Sequence, residues 1–284
     1  MPSWIVDTPV NIDFDDVTEL NVRLIGGAVA VLATDDRPSL TVSEINGRPL
    51  QVDHSGGRLT VSYEKLTWER LLDVLKPHND RASVTVTVPA ACPIQLGVVS
   101  ASALVSGLTA GASVKGVTGD ITLDGLVGDV LANTVSGELL ARDLDGTVTF
   151  ASVSGALTLA DSAIGSLTAE SVSGQVTADI TLGSEGGAHV STVSGEVTLR
   201  LAADANAAVR LNSMSGKVRS EFDFLHHKKV PGTRTVSGNV GAGTGQVAVN
   251  TVSGAITLLR RPDRRTSPYA EAPRAQAGTE SETR

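Results

Sequence analysis

A short phrase in which glycine follows a small hydroxyl residue recurs through most of this chain of 284 residues. Its fullest copies read TVSGELLA from Thr134, SVSGALTL from Ser152 and TVSGEVTL from Thr192. The residue before the glycine is Ser106, Thr118, Ser136, Ser154, Ser173, Ser194, Ser215, Ser237 and Ser253. Most steps between copies are 18 to 22 residues, whereas helical repeats are usually about 33 residues or longer. The period therefore predicts an all-β chain that folds as a parallel β-solenoid.

Each unit contains two short segments in which apolar and polar residues alternate, a pattern typical of strands with one buried face. One segment follows the glycine, as with Leu157 and Leu159. The other precedes the next copy, as with Val148 and Phe150. The next apolar residue after Phe150 is Val153, three positions on rather than two. Because a shift of one residue exchanges the two faces of a strand, we expect a bend or bulge in every coil.

The phrase is therefore interpreted as a corner, at which glycine supplies a permissive backbone. We expect one inward column made of Val153, Val172, Val193, Met214, Val236 and Val252. We expect a second column beside it made of Ser154, Ser173, Ser194, Ser215, Ser237 and Ser253. About eight coils, spaced by about 4.8 Å, would form a rod of about 40 Å.

Composition changes divide the chain into three predicted regions. Residues 1–90 form a β-rich capping module, residues 91–260 form the solenoid, and residues 261–284 form a disordered tail. Within the module, the spacing of Trp68, Leu71, Leu72 and Leu75 predicts one short helix that begins near Thr67 and ends at Pro77. His54 to Gly57 predicts a hairpin turn. We expect the module to cover one end of the solenoid, and Pro262 with the neighbouring arginines to block strand pairing at the other.

Charge and composition exclude several classes of function. The net charge of −8 and the aromatic content of 3 % argue against binding to nucleic acids. The lone Cys92 cannot form a disulfide within the chain. The first residues lack the pattern of a signal peptide, and no run is long enough to span a membrane. We therefore expect a cytoplasmic protein, although unconventional export to the surface stays open.

Residue patterns that carry catalysis or cofactor binding are weak in this sequence. Asp13, Asp15 and Asp16 are interpreted as a solvated turn rather than a metal site. The five histidines are His54, His78, His189, His226 and His227, and they lack zinc-ligand spacing. The glycine-rich run GAGTGQV precedes a strand, whereas a phosphate loop precedes a helix. The sequence therefore predicts no catalytic residue, no cofactor and no metal.

Candidate contact regions are the segments where the repeat lengthens, at residues 183–188, 203–208 and 222–233. Loops on one side of a solenoid often form its binding surface. A weaker alternative is contact with a membrane surface through Arg260, Arg261, Arg264 and Arg265. The oligomeric state and the identity of a partner stay open.

The stretch from Thr85 through the strand that ends at Val88-Pro89, together with the successive Val-Ser-Gly repeats up to TVSGAITLL, resembles a bacterial family of adhesin-like β-strand-repeat proteins, a domain of unknown function. The resemblance covers about residues 84–260. It implies a β-solenoid without enzymatic activity, and some relatives look like parts of cell-envelope stress systems. We therefore expect a non-enzymatic interaction scaffold that binds a protein partner. The alternative is a carbohydrate-binding or polysaccharide-processing solenoid.

Overall fold

The computed structural model describes residues 2–63, 80–230 and 232–262, and strands are the regular structure within those ranges. The predicted helix between Thr67 and Pro77 lies outside the described residues, as does the predicted tail beyond Pro262. The first strands are β1 (Ser3–Val6), β2 (Val10–Asp13), β3 (Glu19–Leu24), β4 (Gly26–Ala33), β5 (Ser39–Asn46), β6 (Leu50–Ser55), β7 (Arg58–Tyr63) and β8 (Arg81–Val88).

The repeat region contains shorter strands and two long ones that pass through a bend. These strands are β9 (Ile94–Val98), β10 (Ser102–Ser106), β11 (Ala112–Gly116), β12 (Ile121–Asp124), β13 (Val130–Thr134), β14 (Leu139–Arg142), β15 (Asp145–Ser152), β16 (Leu157–Ser171), β17 (Val176–Thr192) and β18 (Val197–Ala202). The last strands are β19 (Ala207–Ser213), β20 (Val218–Ser220), β21 (His226–Val230), β22 (Thr233–Val240), β23 (Gly245–Thr251) and β24 (Ile256–Arg261).

Two parallel ladders run the length of the molecule, and each layer of the stack contributes one strand to each ladder. The first ladder follows the order β7, β3, β9, β11, β13, β15, β16, β17, β23 and β19. The second follows the order β8, β4, β10, β12, β14, β16, β17, β18, β24 and β20. The all-β, solenoid-like fold predicted from the repeat is therefore confirmed.

The layers do not follow chain order at either end. Near the N-terminus, β3 and β4 lie between the layer of β7 and β8 and the layer of β9 and β10. Strand pairing therefore crosses residue 90 without a break. Near the C-terminus, β23 and β24 lie between the layer of β17 and β18 and the layer of β19 and β20. The layer that contains Val252 therefore precedes the layer that contains Met214, although Met214 comes first in the sequence.

Antiparallel strands lie on both ends of the stack. At the N-terminal end, β6 and then β1 extend the first ladder from β7, while β5 and then β2 extend the second ladder from β8. The predicted turn at His54 to Gly57 is confirmed, since Ser55 pairs with Arg58 across it. At the C-terminal end, β22 and then β21 extend the first ladder from β19.

A single apolar core fills the space between the ladders. It consists mainly of Val, Leu, Ile and Ala side chains from alternate strand positions, such as Val197, Leu199 and Leu201 of β18. Each layer supplies only a few such side chains, so its burial depends on the layers above and below. Stability of the stack therefore comes from contacts between neighbouring layers.

Candidate functional site

The Val-Ser-Gly phrase forms the corner between the two ladders. The hydroxyl residue that directly precedes its valine faces the core. Ser152, Ser171 and Thr192 continue the inward series of their strands, so these strands reach the corner without the predicted slip. Each hydroxyl oxygen accepts a hydrogen bond from the backbone N–H of the glycine three residues later, at 2.7 Å for Gly155 and 2.9 Å for both Gly174 and Gly195. A buried polar group is therefore satisfied within the corner.

The valine of the phrase points outward, so the predicted inward column was wrong. Five valines and one methionine are 45 to 58 % exposed. In stacking order they are Val135, Val153, Val172, Val193, Val252 and Met214. We call this row the valine edge. The exception is Val236, which is buried.

Backbone hydrogen bonds show that the residues of the valine edge occupy consecutive layers. The N–H of Ser173 donates to the carbonyl oxygen of Val153 at 2.9 Å, and the N–H of Ser194 donates to that of Val172 at 2.9 Å. The serine hydroxyls donate to the same carbonyl oxygens at 3.3 Å. The polar groups beside the valines are thus engaged with the layer below. The edge therefore presents methyl groups rather than free hydrogen-bonding groups.

Close approach of neighbouring layers explains the glycine of the phrase. A Cβ on Gly174 would overlap the carbonyl oxygen of Gly155, and a Cβ on Gly195 would overlap that of Gly174. Neither glycine has a positive φ angle. The predicted reason for this glycine, a permissive backbone conformation, was therefore wrong. Space between layers is what requires it.

One copy of the phrase has a different structure. Thr235 to Gly238 lies within β22, which pairs antiparallel with both β19 and β21. Val236 then takes an inward strand position opposite Leu211 of β19. The same Thr-Val-Ser-Gly sequence thus forms a corner in a parallel layer and part of a straight strand at the antiparallel end of the first ladder.

The residues that form these layers match the model of a known protein family. A family model described as Toastrack DUF4097 matches residues 17–259. This chain belongs to the Toastrack DUF4097 family. The match starts well before the region covered by the resemblance noted from the repeats, which agrees with Toastrack layers that include β3 and β4.

Solved structures of low sequence identity resemble this Toastrack chain. One is a candidate cell adhesion protein from Clostridium sporogenes, with 11 % identity over 89 % of this chain and 100 % of that chain and a TM-score of 0.26. Another is a candidate lipid binding protein from Parabacteroides distasonis, with 13 % identity, coverage of 89 % and 97 %, and a TM-score of 0.45. A third is a candidate adhesin from Bacteroides fragilis, with 11 % identity, coverage of 89 % and 98 %, and a TM-score of 0.36. No curated protein matches the chain.

The segments predicted as contact loops of the Toastrack chain differ from one another. Residues 183–186 lie inside β17, where the pairing with β16 is irregular. Residues 203–206 form a turn before β19. Residues 222–233 are not one open loop, because they contain β21 and the buried side chains of Phe222 and Leu225. That segment packs against the core at the C-terminal end.

A buried carboxylate joins three strands of the second ladder near the end of the chain. Asp179 of β17 forms ion pairs with Arg200 of β18 and Arg261 of β24. Nη1 of Arg261 also donates to the hydroxyl of Thr181 at 3.1 Å. Burial alone would raise the pKa of Asp179, but hydrogen bonds from Arg200 and Arg261 hold that pKa below its ordinary value.

The terminal arginines were predicted to block strand pairing at the end of the solenoid, and the two that are described lie in β24. Both arginines pair with β18 on one side, whereas β20 pairs with β24 only over Ile256–Leu258. Arg261 is turned toward Asp179, while the backbone N–H of Arg260 donates to the carboxylate of Glu221 at 2.9 Å. Strand β24 is therefore an interior strand of the ladder only over Ile256–Leu258.

Replacing Asp179 with asparagine should lower the free energy of unfolding at pH 7 by about 1–3 kcal/mol, since charge-assisted hydrogen bonds to two arginines are weakened. Because folding lowers the pKa of Asp179, its contribution is present above the unfolded pKa and is lost as pH falls through the folded pKa. The stability difference between the two proteins should therefore shrink below about pH 4. Urea unfolding at several pH values measures it, and a difference that is constant down to pH 2 would contradict this account.

Other candidate residues of the Toastrack chain do not converge. Asp15 pairs with Arg37, and His54 Nε2 lies 2.8 Å from the backbone oxygen of Asp16. Within the described ranges, no three metal-ligating side chains group together. Over those same ranges, no helix has the length and apolarity needed to cross a membrane.

Proposed function

We propose that this Toastrack chain is a non-enzymatic interaction scaffold that binds a protein partner along the valine edge. The observation that supports the proposal is the single file of six exposed apolar side chains in consecutive layers. A contiguous exposed apolar patch on a soluble domain commonly marks an interaction site. The link to cell-envelope stress that the family resemblance implies is part of the same proposal.

The spacing of the valine edge favours a partner with a regular row of apolar side chains. Layers repeat at about 4.8 Å, so six positions span about 24 Å. An amphipathic helix advances about 5.4 Å per turn and presents one apolar stripe. Over five steps, the row of layers and the helix stripe therefore differ in length by only about 3 Å. We therefore infer that an apolar helix stripe lying along the edge is the form of partner that fits it best.

The first test places a photocrosslinking amino acid at Val172, in the middle of the edge, in the full-length chain. The matched control carries the same group at Leu140, a similarly exposed aliphatic residue on the outer face of the second ladder. We expect a protein crosslink from position 172 and none from position 140. Replacing Val153 and Val193 with threonine should reduce the crosslink at least about tenfold, because each added hydroxyl weakens apolar contact.

Two outcomes would count against the proposal. Equal crosslinking from both positions would show that the edge is not a specific surface. Binding of the unmodified chain to a glycan array, without any protein crosslink from position 172, would favour the carbohydrate-binding alternative. Unfolding curves of the threonine variants should match that of the parent chain, which separates lost binding from lost folding.

A further inference from the structure

The two ends of the first ladder each present a strand with one unpaired edge. Strand β1 pairs with β6 on one side, and β21 pairs with β22 on one side. Among the described residues, no strand pairs with the other side of either one. Unpaired strand edges are templates for pairing with another chain. Because both edges belong to the same ladder, joining them would continue that ladder from one molecule into the next.

Strand β1 itself has no charged residue, but the two ends of the stack carry opposite charge. The segment of residues 2–17 that contains β1 and β2 has no Lys or Arg, and its acids are Asp7, Asp13, Asp15 and Asp16. Asp15 is paired with Arg37, whereas no ion pair involving Asp7 or Asp13 is formed within the described part of the chain. At the opposite end, the cations include Lys217 and Arg219 at β20, Lys228 of β21 and Arg234 of β22, against Glu221 and Asp223. Complementary charge steers association and suppresses wrong pairings.

Strand length and side chains also match. Strand β1 has four residues and β21 has five, so one edge can pair along its full length with the other. Ile5 of β1 is 77 % exposed, the largest exposure among the large apolar side chains of the described residues. A second molecule at this edge would cover it. Pairing of β21 with another β21 would instead bring Lys228 close to cations of the same kind.

We propose that this chain assembles head to tail, with β1 of one copy pairing with β21 of the next. Such an interface is heterologous, since two different surfaces meet, and it leaves a free β1 and a free β21 on every assembly. Assembly is therefore open-ended rather than limited to a dimer. The valine edge runs along the side of the stack and stays accessible in the assembled chain.

Sedimentation velocity of the full chain over a range of concentrations, at about 20 mM and about 300 mM salt, tests the proposal. We expect species larger than a dimer at high concentration, and weaker association at the higher salt because the attraction is screened. Lys228→Glu, and separately the pair Asp7→Lys with Asp13→Lys, should each weaken association at least about tenfold. Glu196→Lys, which changes an exposed charge on the outer face of the second ladder, should leave association unchanged.

Mixing supplies a decisive comparison. The Lys228→Glu chain and the Asp7→Lys, Asp13→Lys chain have reversed charges at opposite ends. When mixed in equal amounts, they should assemble again, because each reversed end meets a reversed partner. A chain that stays monomeric at low salt, assembly that stops at a dimer, or a mixture that fails to associate would each overturn the proposal. Threonine variants of the valine edge should assemble normally, so failure of the scaffold proposal would leave this result intact.

Discussion

Replacing Gly174 with alanine should lower the free energy of unfolding by about 3 kcal/mol or more. The new Cβ would overlap the carbonyl oxygen of Gly155 in the neighbouring layer. The residues on both sides of Gly174 are held to that layer by backbone hydrogen bonds, from the N–H of Ser173 to the carbonyl oxygen of Val153 and from the N–H of Leu157 to that of Gln175. Overpacking a well-packed site costs about 1–3 kcal/mol and more where the backbone must move. Displacing the backbone of Gly174 would also weaken the hydrogen bond that its N–H donates to the hydroxyl of Ser171 in the same corner. Denaturant unfolding monitored by circular dichroism measures the change.

Gly165 supplies the matched control for this substitution. It lies within β16, and a Cβ there would be 3.7 Å from its nearest neighbour, the carbonyl oxygen of Gly146. Gly165→Ala should therefore change the free energy of unfolding by less than about 1 kcal/mol. Any change should be toward higher stability, because alanine restricts the unfolded chain more than glycine does. If the two alanine variants were equally stable, close approach between layers would not be the reason for the repeated glycine.

The repeat predicted the architecture because regular stacking needs the same residue types at the same place in every layer. Alternation located the strands, as in Val148 and Phe150 of β15, and the glycine pair located the turn between β6 and β7. Such local patterns are set by burial of one strand face and by turn geometry. These patterns can be recognised in the sequence without knowledge of which layers lie next to a given strand.

The direction of the valines could not be read in that way. Val153 was assigned to the core in place of Ser152, which required a slip at every corner. The structure reverses the assignment, because the hydroxyls of Ser152 and Ser171 are satisfied by the N–H of a glycine three residues on. The fixed three-residue spacing between a hydroxyl residue and glycine was the signal available. It is the spacing of a side chain that bonds to a nearby backbone N–H.

Layer order at the C-terminal end was also beyond the reach of local patterns. The corners at Ser213 and Thr251 have similar sequences, yet the later one belongs to the earlier layer. The copy at Thr235 has the same letters and lies in a strand. Which segment joins which ladder is decided by long-range pairing of β22 with β19, and the uneven steps of 22 and 16 residues around Ser237 were the only trace of it.

Aspartate substitutions at Val190 and Val193 should have very different effects on the free energy of unfolding, because Val190 faces the core and Val193 belongs to the valine edge. Val190 is fully buried between Ala169 and Val249 of the neighbouring layers. An unpaired carboxylate there should cost more than about 4 kcal/mol or prevent folding, since burial of a charge without a partner is strongly unfavourable. Val193 is 48 % exposed and lies in the bend after β17, so Val193→Asp should cost less than about 1 kcal/mol, as expected for a surface substitution.

Alanine substitutions keep this comparison measurable if Val190→Asp does not fold. Val190→Ala should lower the free energy of unfolding by about 2 kcal/mol, because buried methyl groups are lost and a cavity is left. Val193→Ala should lower it by less than about 0.5 kcal/mol. Thermal and urea unfolding of the four variants give the ranking. A larger loss at Val193 than at Val190 would restore the inward valine column and remove the apolar surface on which partner binding depends.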